Sequence, residues 1–397
     1  MTENVLKESD NIVLSGGWKP MKQDAFRNYR GTYIRVDLDA IAHNTKVLKE
    51  NTAKDRLMLA VVKANAYGHG LVQVAKVALE NGADYLGVAI PEEGEQLRNA
   101  GINAPILVLG GVNERGAEGS VRNDLIQTVF DVNRVYQLEK AAADQNKKVS
   151  VHLKIDTGMG RIGVRNREEV DALLKAVNDC PHVQLTGAFT HFANADNEED
   201  TYTRRQKEIF DELTAGLPKE IVLHAAASSA AARYPETRYD MVRQGIALYG
   251  CRAGSSTLPV KPALSWHTEI VYVKKMNAGE SISYGCTYTT KKETVIATLP
   301  VGYGDGYSRI LSGKACVLIG GKRCPVVGRV CMDQIMVDVT GLEENETSIG
   351  APVVLLGRQG NEQITADEMA GWANTISYEM LMAATARVPV IYAPEQK

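Results

Sequence analysis

Short aliphatic runs recur through the first two thirds of the chain, and amphipathic stretches fill most of the gaps between them. From Tyr33 the runs read YIRVDL, LMLAVVKA, YLGVAI, PILVLGG, LIQTVF, VHLKID, LTGAFTHF, IVLHAAA and VRQGIALYG. Brief apolar runs of this kind mark strands buried on both faces. AIAHNTKVLKEN, LVQVAKVALENG, VNRVYQLEKAAA and REEVDALLKAV place apolar residues three and four apart, the spacing of a helix packed by one face. Asp39 is the expected N-cap of the first helix and Gly82 the expected stop of the second. Strands alternating with helices predict a parallel sheet with helical crossovers. About eight such units over about 230 residues fit a (β/α)₈ TIM-like barrel better than an open doubly wound sheet, which stays the alternative.

Beyond about Pro262 the rhythm changes. TEIVYVKKM, SISYGCTYTT, ETVIATLPVGY, ACVLIGGKRCPVVG and DQIMVDVT alternate with glycine-rich turns, and IGGK offers a two-residue hairpin turn. The next clear helix is DEMAGWANT. The pattern predicts a barrel over residues 31–264 followed by a mostly β C-terminal domain over residues 265–397. The first run, TYIRVD, belongs either to the barrel or to that second domain. Residues 1–30 lack clear periodicity, contain the turn-rich SGGWKP, and read as an N-terminal extension.

Composition narrows the partners. Of 397 residues, 44% are hydrophobic and 23% charged, as in an ordinary globular protein, and a net charge of −3 gives no reason to expect nucleic acid or an acidic membrane. No apolar run approaches the roughly 20 residues of a membrane span, and the N-terminus lacks the pattern of a signal peptide. Six scattered cysteines form no C-x-x-C pair. They are expected to be reduced, cytoplasmic and mostly small core residues, and no metal site is expected.

One lysine stands out. Lys63 ends the apolar run LMLAVV, at the carboxyl end of a predicted barrel strand, where barrel active sites are built. Burial there lowers an amine's pKa and leaves it free to condense with an aldehyde. The plainer reading is a lysine snorkelling to water from a strand end.

The stretch that follows resembles a known site. VVKANAYGHG is similar to the pyridoxal-phosphate attachment site of bacterial alanine racemases. The likeness continues in family order through HLKIDTGMGRIG (152–163), THFANAD (190–196), MVRQGIALYG (241–250), SISYGCTY (281–288), VGYGDG (301–306), GRVCMDQ (328–334) and ISYEM (376–380). It implies a barrel plus a β domain, pyridoxal 5'-phosphate as cofactor, and an enzyme that interconverts L- and D-alanine. D-Alanine from such an enzyme supplies peptidoglycan synthesis.

The resemblance assigns roles by position. Lys63 matches the lysine that holds the cofactor and handles the α-proton on one face; Tyr284 matches the tyrosine serving the other. A phenol has a reference pKa of about 10, so it needs help to act as a base near neutrality. Arg243 matches the arginine facing the pyridine nitrogen. Because arginine donates without surrendering its proton, the ring stays a weaker electron sink. Ser228 with the backbone of Gly245 and Ile246 matches the phosphate cup, with Tyr67 and Tyr378 adding phenol donors. His191 matches the histidine beside the cofactor ring. Arg161 and the backbone N–H of Met332 match groups that bind the substrate carboxylate. Lys154, often carbamylated in the family, His224, Cys331 and Asp333 match a supporting layer. Tyr303 and Arg309 match the entrance lining. In the family the Cys331–Asp333 loop and the tyrosine reach into a partner's site, which implies a homodimer with shared active sites.

Some positions depart from the family pattern. Ala227 stands where an Asn is usual, and a one-residue shift would make Ser229 the phosphate ligand instead of Ser228. Gly304 replaces the more usual Ala, and Gln244 a more usual aromatic or apolar residue. Ala227 and Gln244 weakly motivate a second possibility, a racemase of the same fold with a broader or serine preference. A related decarboxylase would need an acidic residue where Arg243 stands. A cofactor-binding regulator would resemble only the barrel, without SYGCTY and CMDQ.

Overall fold

The computed structural model describes residues 12–13, 29–254 and 257–393. Most of the expected extension, residues 1–30, lies outside the described residues. The chain forms two units, Ala40–Lys261 and Met1–Asp39 with Pro262–Lys397.

The first unit is a barrel. Among its described residues, eight parallel strands follow one another: Leu57–Val61, Tyr85–Val88, Ile106–Val108, Ile126–Val129, Val149–Lys154, Val183–Phe189, Val222–His224 and Met241–Gln244. The last pairs back on the first. A parallel bridge between Ala227 and Arg243 nearly closes the round, and the Arg243 N–H donates to the Ala226 carbonyl. An open doubly wound sheet is thereby replaced by the barrel. Met58, Leu59, Ala60, Leu86, Ile106, Leu107 and Val108 are fully buried, because helices cover the outer faces of these strands. Asn113, Asp131 and Asn166 cap three of the helices with side-chain oxygens, each contributing roughly 1 kcal/mol. Asp39 does not play that part. Its helix runs Leu38–Thr52, so Asp39 lies inside the first turn, where the helix dipole favours its carboxylate. Gly82 follows the helix Leu71–Glu80 with φ +116°, a conformation open to glycine.

The second unit is mostly β. Its sheet runs, in spatial order, Ile12–Val13, Val390–Tyr392, Tyr33–Val36, Leu264–Glu269, Pro352–Gln359, Cys316–Ile319, Lys322–Val327, Ile335–Asp338, Thr294–Leu299 and Tyr272–Met276, with Glu362–Ile364 added on Pro352–Gln359. The strand from the first apolar run therefore belongs here. Tyr33–Val36 pairs antiparallel with Leu264–Glu269 and parallel with Val390–Tyr392. Gly320 and Gly321 turn the hairpin with φ +57° and +71°, which suits the mirror-image turns favoured between twisted strands.

Of the cysteines, Cys180, Cys251 and Cys324 are buried, Cys316 and Cys331 half-buried and Cys286 exposed, so half rather than most are core residues. All six are free thiols.

Two loops of this unit are laced together. The N–H groups of Tyr303 and Gly304 donate to the carbonyls of Cys331 and Met332, at 3.0 and 2.8 Å. Asp305 is fully buried and accepts from Arg30 at 2.5 Å and from the Gly302 N–H at 3.1 Å. Gly306 closes the turn at φ +103°, and a Cβ there would collide with the Ala383 carbonyl. Gly306→Ala is expected to destabilise the protein by about 3 kcal/mol, from strain plus overpacking. Urea denaturation of the two proteins side by side measures it; an unchanged midpoint would count against this packing.

Candidate active site

Lys63 stands at the carboxyl end of the strand Leu57–Val61, at the start of an unusual turn. Ala64, Asn65, Ala66 and Tyr67 all adopt left-handed backbone angles, with φ of 53°, 55°, 51° and 52°. Each such non-glycine residue costs roughly 1–2 kcal/mol, so the turn persists only because its surroundings hold it. The Asn65 side chain accepts from the Leu71 N–H at 2.9 Å. The Glu93 carboxylate accepts from the Ala64 N–H at 2.6 Å. Tyr67, the last of these residues, stacks on Tyr249 with centroids 4.7 Å apart. Burial holds the Lys63 amine below its usual range, Arg161 and Arg243 push the same way, and Glu93 opposes them.

Arg243 lies inside the barrel, 3% exposed, rather than at a solvent-facing strand end. One guanidinium nitrogen donates to the Thr190 and Ala225 carbonyls, at 2.8 and 2.7 Å, and to His191 Nδ1 at 3.1 Å. The other donates to His224 Nδ1 at 3.0 Å. Because guanidinium only donates, the His224 proton sits on Nε2, which donates to His152 Nδ1 at 2.9 Å. Burial and Arg243 hold the pKa of His224 well below the imidazole range and that of His152 down to about 3, so both rings are neutral. Burial, then Arg243 and Arg161, take His191 to about 3 as well. Burial, then Arg161, lowers Arg243 itself to about 9, still protonated at neutral pH.

A cradle of donors adjoins Tyr67. The Ser228 hydroxyl accepts from the Gly245 and Ala247 N–H groups at 2.9 and 3.4 Å. A Cβ on Gly245 would sit 3.2 Å from the Tyr67 hydroxyl and 4.0 Å from Ser228 Oγ, so the glycine keeps open a space that both hydroxyls border. Ser228, not Ser229, bonds to the Gly245 backbone. The Ile246 N–H lies between the two that face Ser228, in the short helix Ile246–Tyr249.

The strand Val149–Lys154 and the loop after it add charge. Lys154 is buried, donates to the Ile155 carbonyl at 2.6 Å, and lies 5.5 Å from the Phe189 ring centroid. Burial, then Arg243, takes its pKa down to about 7, Arg161 adding to the fall and Asp156 opposing it. Asp156 shapes the loop to Arg161 by accepting from the Gly158 and Gly160 N–H groups, at 3.1 and 3.0 Å. Arg161 itself is exposed. Lys63, Lys154, Arg161 and Arg243 thus gather at one barrel mouth, against the carboxylates of Asp156 and Glu93 that act on the two lysines. Such a site suits an anionic ligand. A phosphate at the Ser228–Gly245–Tyr67 cradle and an aldehyde within reach of Lys63 fit the residues present.

Tyr284, Tyr303, Arg309, Cys331, Met332, Asp333 and Tyr378 belong to the β-rich unit. Tyr284 occupies a tight turn in which Ser283, Gly285 and Cys286 all have positive φ. Ser283 ties that turn to the Met332 loop by donating to the Arg329 carbonyl at 2.7 Å. Asp333 pairs with Arg387 at 2.9 Å. Tyr284 is 71% exposed, Met332 52% and Tyr303 40%. Arg309 is exposed in a separate turn, Arg309–Leu311, and Tyr378 is half-buried in the helix Ser377–Leu381.

Three residues of the barrel mouth carry no role in the sequence reading. His152 lies two positions before Lys154, on the same face of the strand, and that alternation is the signal for it. Glu93 and Tyr249 have no comparable signal, being a charge near a helix start and an apolar-run tyrosine. Gln244 is a correction. Its side chain is buried and donates to Thr52 Oγ1 at 2.8 Å, on the opposite strand face from Arg243, so it does not border the site. Gly304 leaves room for a neighbour, since a Cβ there would strike the Arg387 guanidinium.

The sequence model for the N-terminal domain of alanine racemase matches residues 36–253, and that for its C-terminal domain matches residues 263–392. An alanine racemase of Symbiobacterium thermophilum is 49% identical over 373 residues, 92% of this chain and 98% of that protein. One of Halothermothrix orenii is 44% identical, over 91% of this chain and 97% of its own length. The crystal structure of alanine racemase from Bacillus anthracis with bound L-Ala-P superimposes with a TM-score of 0.87 at 41% identity, covering 94% of this chain and 97% of that one. Among the described residues no helix is long and apolar enough to cross a membrane. With both domains matched in order and the same fold recovered, this chain belongs to the alanine racemase family of isomerases.

Proposed function

We propose that this chain interconverts L- and D-alanine by a two-base mechanism, with pyridoxal phosphate held on Lys63 and the Tyr284 phenol of a second copy completing the site. The observation that carries the proposal is Lys63 itself: a lysine with a depressed pKa, flanked by two arginines and sharing its turn with one wall of the Ser228–Gly245–Tyr67 cradle. When bound, pyridoxal phosphate acidifies the α-proton of an attached amino acid by drawing electrons from it.

The protein's part is to bind, orient and move protons. Ser228, Tyr67, Tyr378 and the N–H groups of Gly245 and Ile246 would hold the phosphate. Lys63 would hold the aldehyde through its amine, and its Nζ takes or returns a proton on one face. The Tyr284 oxygen does the same on the other, since a single fixed base tends to return the proton where it came from. Arg243 keeps its proton and is pinned by two carbonyls and two imidazoles, so it would offer the pyridine nitrogen a donor rather than an acid. Such a donor would limit electron withdrawal and with it decarboxylation. Arg161 and the Met332 N–H bind the substrate carboxylate. Lys154, taken to about 7, offers carbon dioxide a neutral amine, and a carbamate there would convert a buried cation into an anion able to steady Arg161. The exposure of Tyr284 and Met332 in a single copy supports a homodimer whose sites are shared. We place the enzyme in the cytoplasm, supplying D-alanine for peptidoglycan.

A broader or serine preference retains only Ala227 in its favour, because Gln244 turns away from the site. The test is proton NMR of L-alanine with the cofactor-loaded protein in D₂O, followed by chiral analysis. Loss of the α-proton signal with appearance of D-alanine is expected. Retained α-proton and chirality, with the cofactor present, would overturn the proposal for alanine, and the same experiment on serine would then test the alternative.

A further inference from the structure

Glu93 has no part in the mechanism above, yet it touches the segment that carries Lys63. It lies in the first turn of the helix Pro91–Asn99, which follows the strand Tyr85–Val88. Its two carboxylate oxygens divide their work. One accepts from the Ala64 N–H at 2.6 Å, the first residue of the left-handed turn. The other accepts from the Ala89 N–H at 2.8 Å, in the loop after the neighbouring strand. A single side chain thus bridges the carboxyl ends of two adjacent barrel strands, one of which leads into Lys63. Charge-assisted hydrogen bonds are the strong kind, and here one holds a backbone that its own residues disfavour while the other anchors the carboxylate at the neighbouring strand end.

We propose that Glu93 is the positioning residue for Lys63: its carboxylate clamps the strained turn against the next strand end, and its charge offsets the arginines around the amine. The inference rests on the reading of Lys63 as the cofactor lysine. The charged and titratable groups acting on Lys63 divide clearly. Arg161 and Arg243 favour the neutral amine, and Glu93 favours the ammonium. His191 stays neutral beside them, and the Tyr249 phenol, buried and protonated, also feels Glu93. The signs make a prediction that simple destabilisation does not. Removing the Glu93 charge takes the Lys63 pKa further down, so the amine becomes reactive at lower pH even as its turn loosens.

The experiment strips the full-length protein of cofactor and follows attachment of added pyridoxal phosphate by visible absorbance, from neutral to alkaline pH, together with the rate of its release. Wild type, Glu93→Gln, Glu93→Asp and Lys63→Ala are compared. Lys63→Ala should show no attachment. Glu93→Gln should move the midpoint of the attachment rate to lower pH and release cofactor about tenfold faster. Glu93→Asp keeps the charge but shortens the reach, so it should hold the wild-type midpoint while sharing the faster release; it also serves if Glu93→Gln fails to fold. A wild-type midpoint in Glu93→Gln, or wild-type release in Glu93→Asp, overturns the inference. Attachment undiminished in Lys63→Ala would instead overturn the reading of Lys63, and this inference with it.

Discussion

Lys63→Ala is expected to abolish racemisation, lowering turnover by more than about 10⁴-fold, the upper end for losing a general base alone. The expected loss exceeds that limit because, on the proposed mechanism, one substitution removes two functions, the amine that holds the aldehyde and the base on one face. The fold should survive. Lys63 is half-buried at a strand end, its burial costs the charged form, and it is not among the residues with left-handed backbone angles, so an alanine there meets no backbone strain. Removing a desolvated amine from among Arg161 and Arg243 also relieves like-charge repulsion. Thermal unfolding without cofactor should therefore match or slightly exceed wild type, while the absorbance of lysine-bound cofactor disappears. Added small amines offer a further check, since a primary amine diffusing to the vacated position can restore part of the proton transfer. A Lys63→Ala enzyme that turns over like wild type would end the assignment.

Much of the candidate site is legible in the sequence, and what is not legible has physical causes. Lys63 is visible because a buried run ends in a charge, a contrast that local sequence carries. The left-handed turn after it is invisible, because Ala-Asn-Ala-Tyr contains no glycine and local propensity points elsewhere. Tertiary contacts decide it, above all Glu93, 29 positions from Ala64. The same holds for the chain Arg243–His224–His152, drawn from separate strands, with 72 positions between the two imidazoles. No periodicity can announce a partnership of that kind. Tyr33–Val36 shows the limit at the level of fold. Its alternation fits a barrel strand or a sheet strand equally, and only pairing with Leu264–Glu269 decides between them. Gln244 shows the limit at the level of a single residue: beside Arg243 in sequence, it faces the helix Leu38–Thr52 instead.

Tyr284→Phe should leave cofactor binding intact yet slow racemisation by about 10²- to 10⁴-fold, the range for loss of one acid–base group. The effect on proton exchange should be lopsided. The enantiomer whose α-proton faces Lys63 keeps exchanging it with solvent and keeps its configuration, whereas the other enantiomer loses exchange. Net conversion falls equally in both directions, because the equilibrium between mirror images is fixed at unity. Following α-proton exchange of L- and D-alanine separately in D₂O reads this directly, and equal slowing of both would deny Tyr284 a face of its own. The variant then tests the sharing of sites. In a symmetric dimer with shared sites, one Lys63→Ala subunit joined to one Tyr284→Phe subunit rebuilds one intact site and leaves the other doubly deficient. An equal mixture that reassorts freely should regain about a quarter of wild-type activity, since half the dimers are hybrids with one good site in two. Sites contained within single chains would regain nothing, because each hybrid site would still lack a base. The 71% exposure of Tyr284 in one copy is what favours recovery: a base left that open to water gains the dry surroundings and fixed geometry that proton transfer needs when a second subunit covers it.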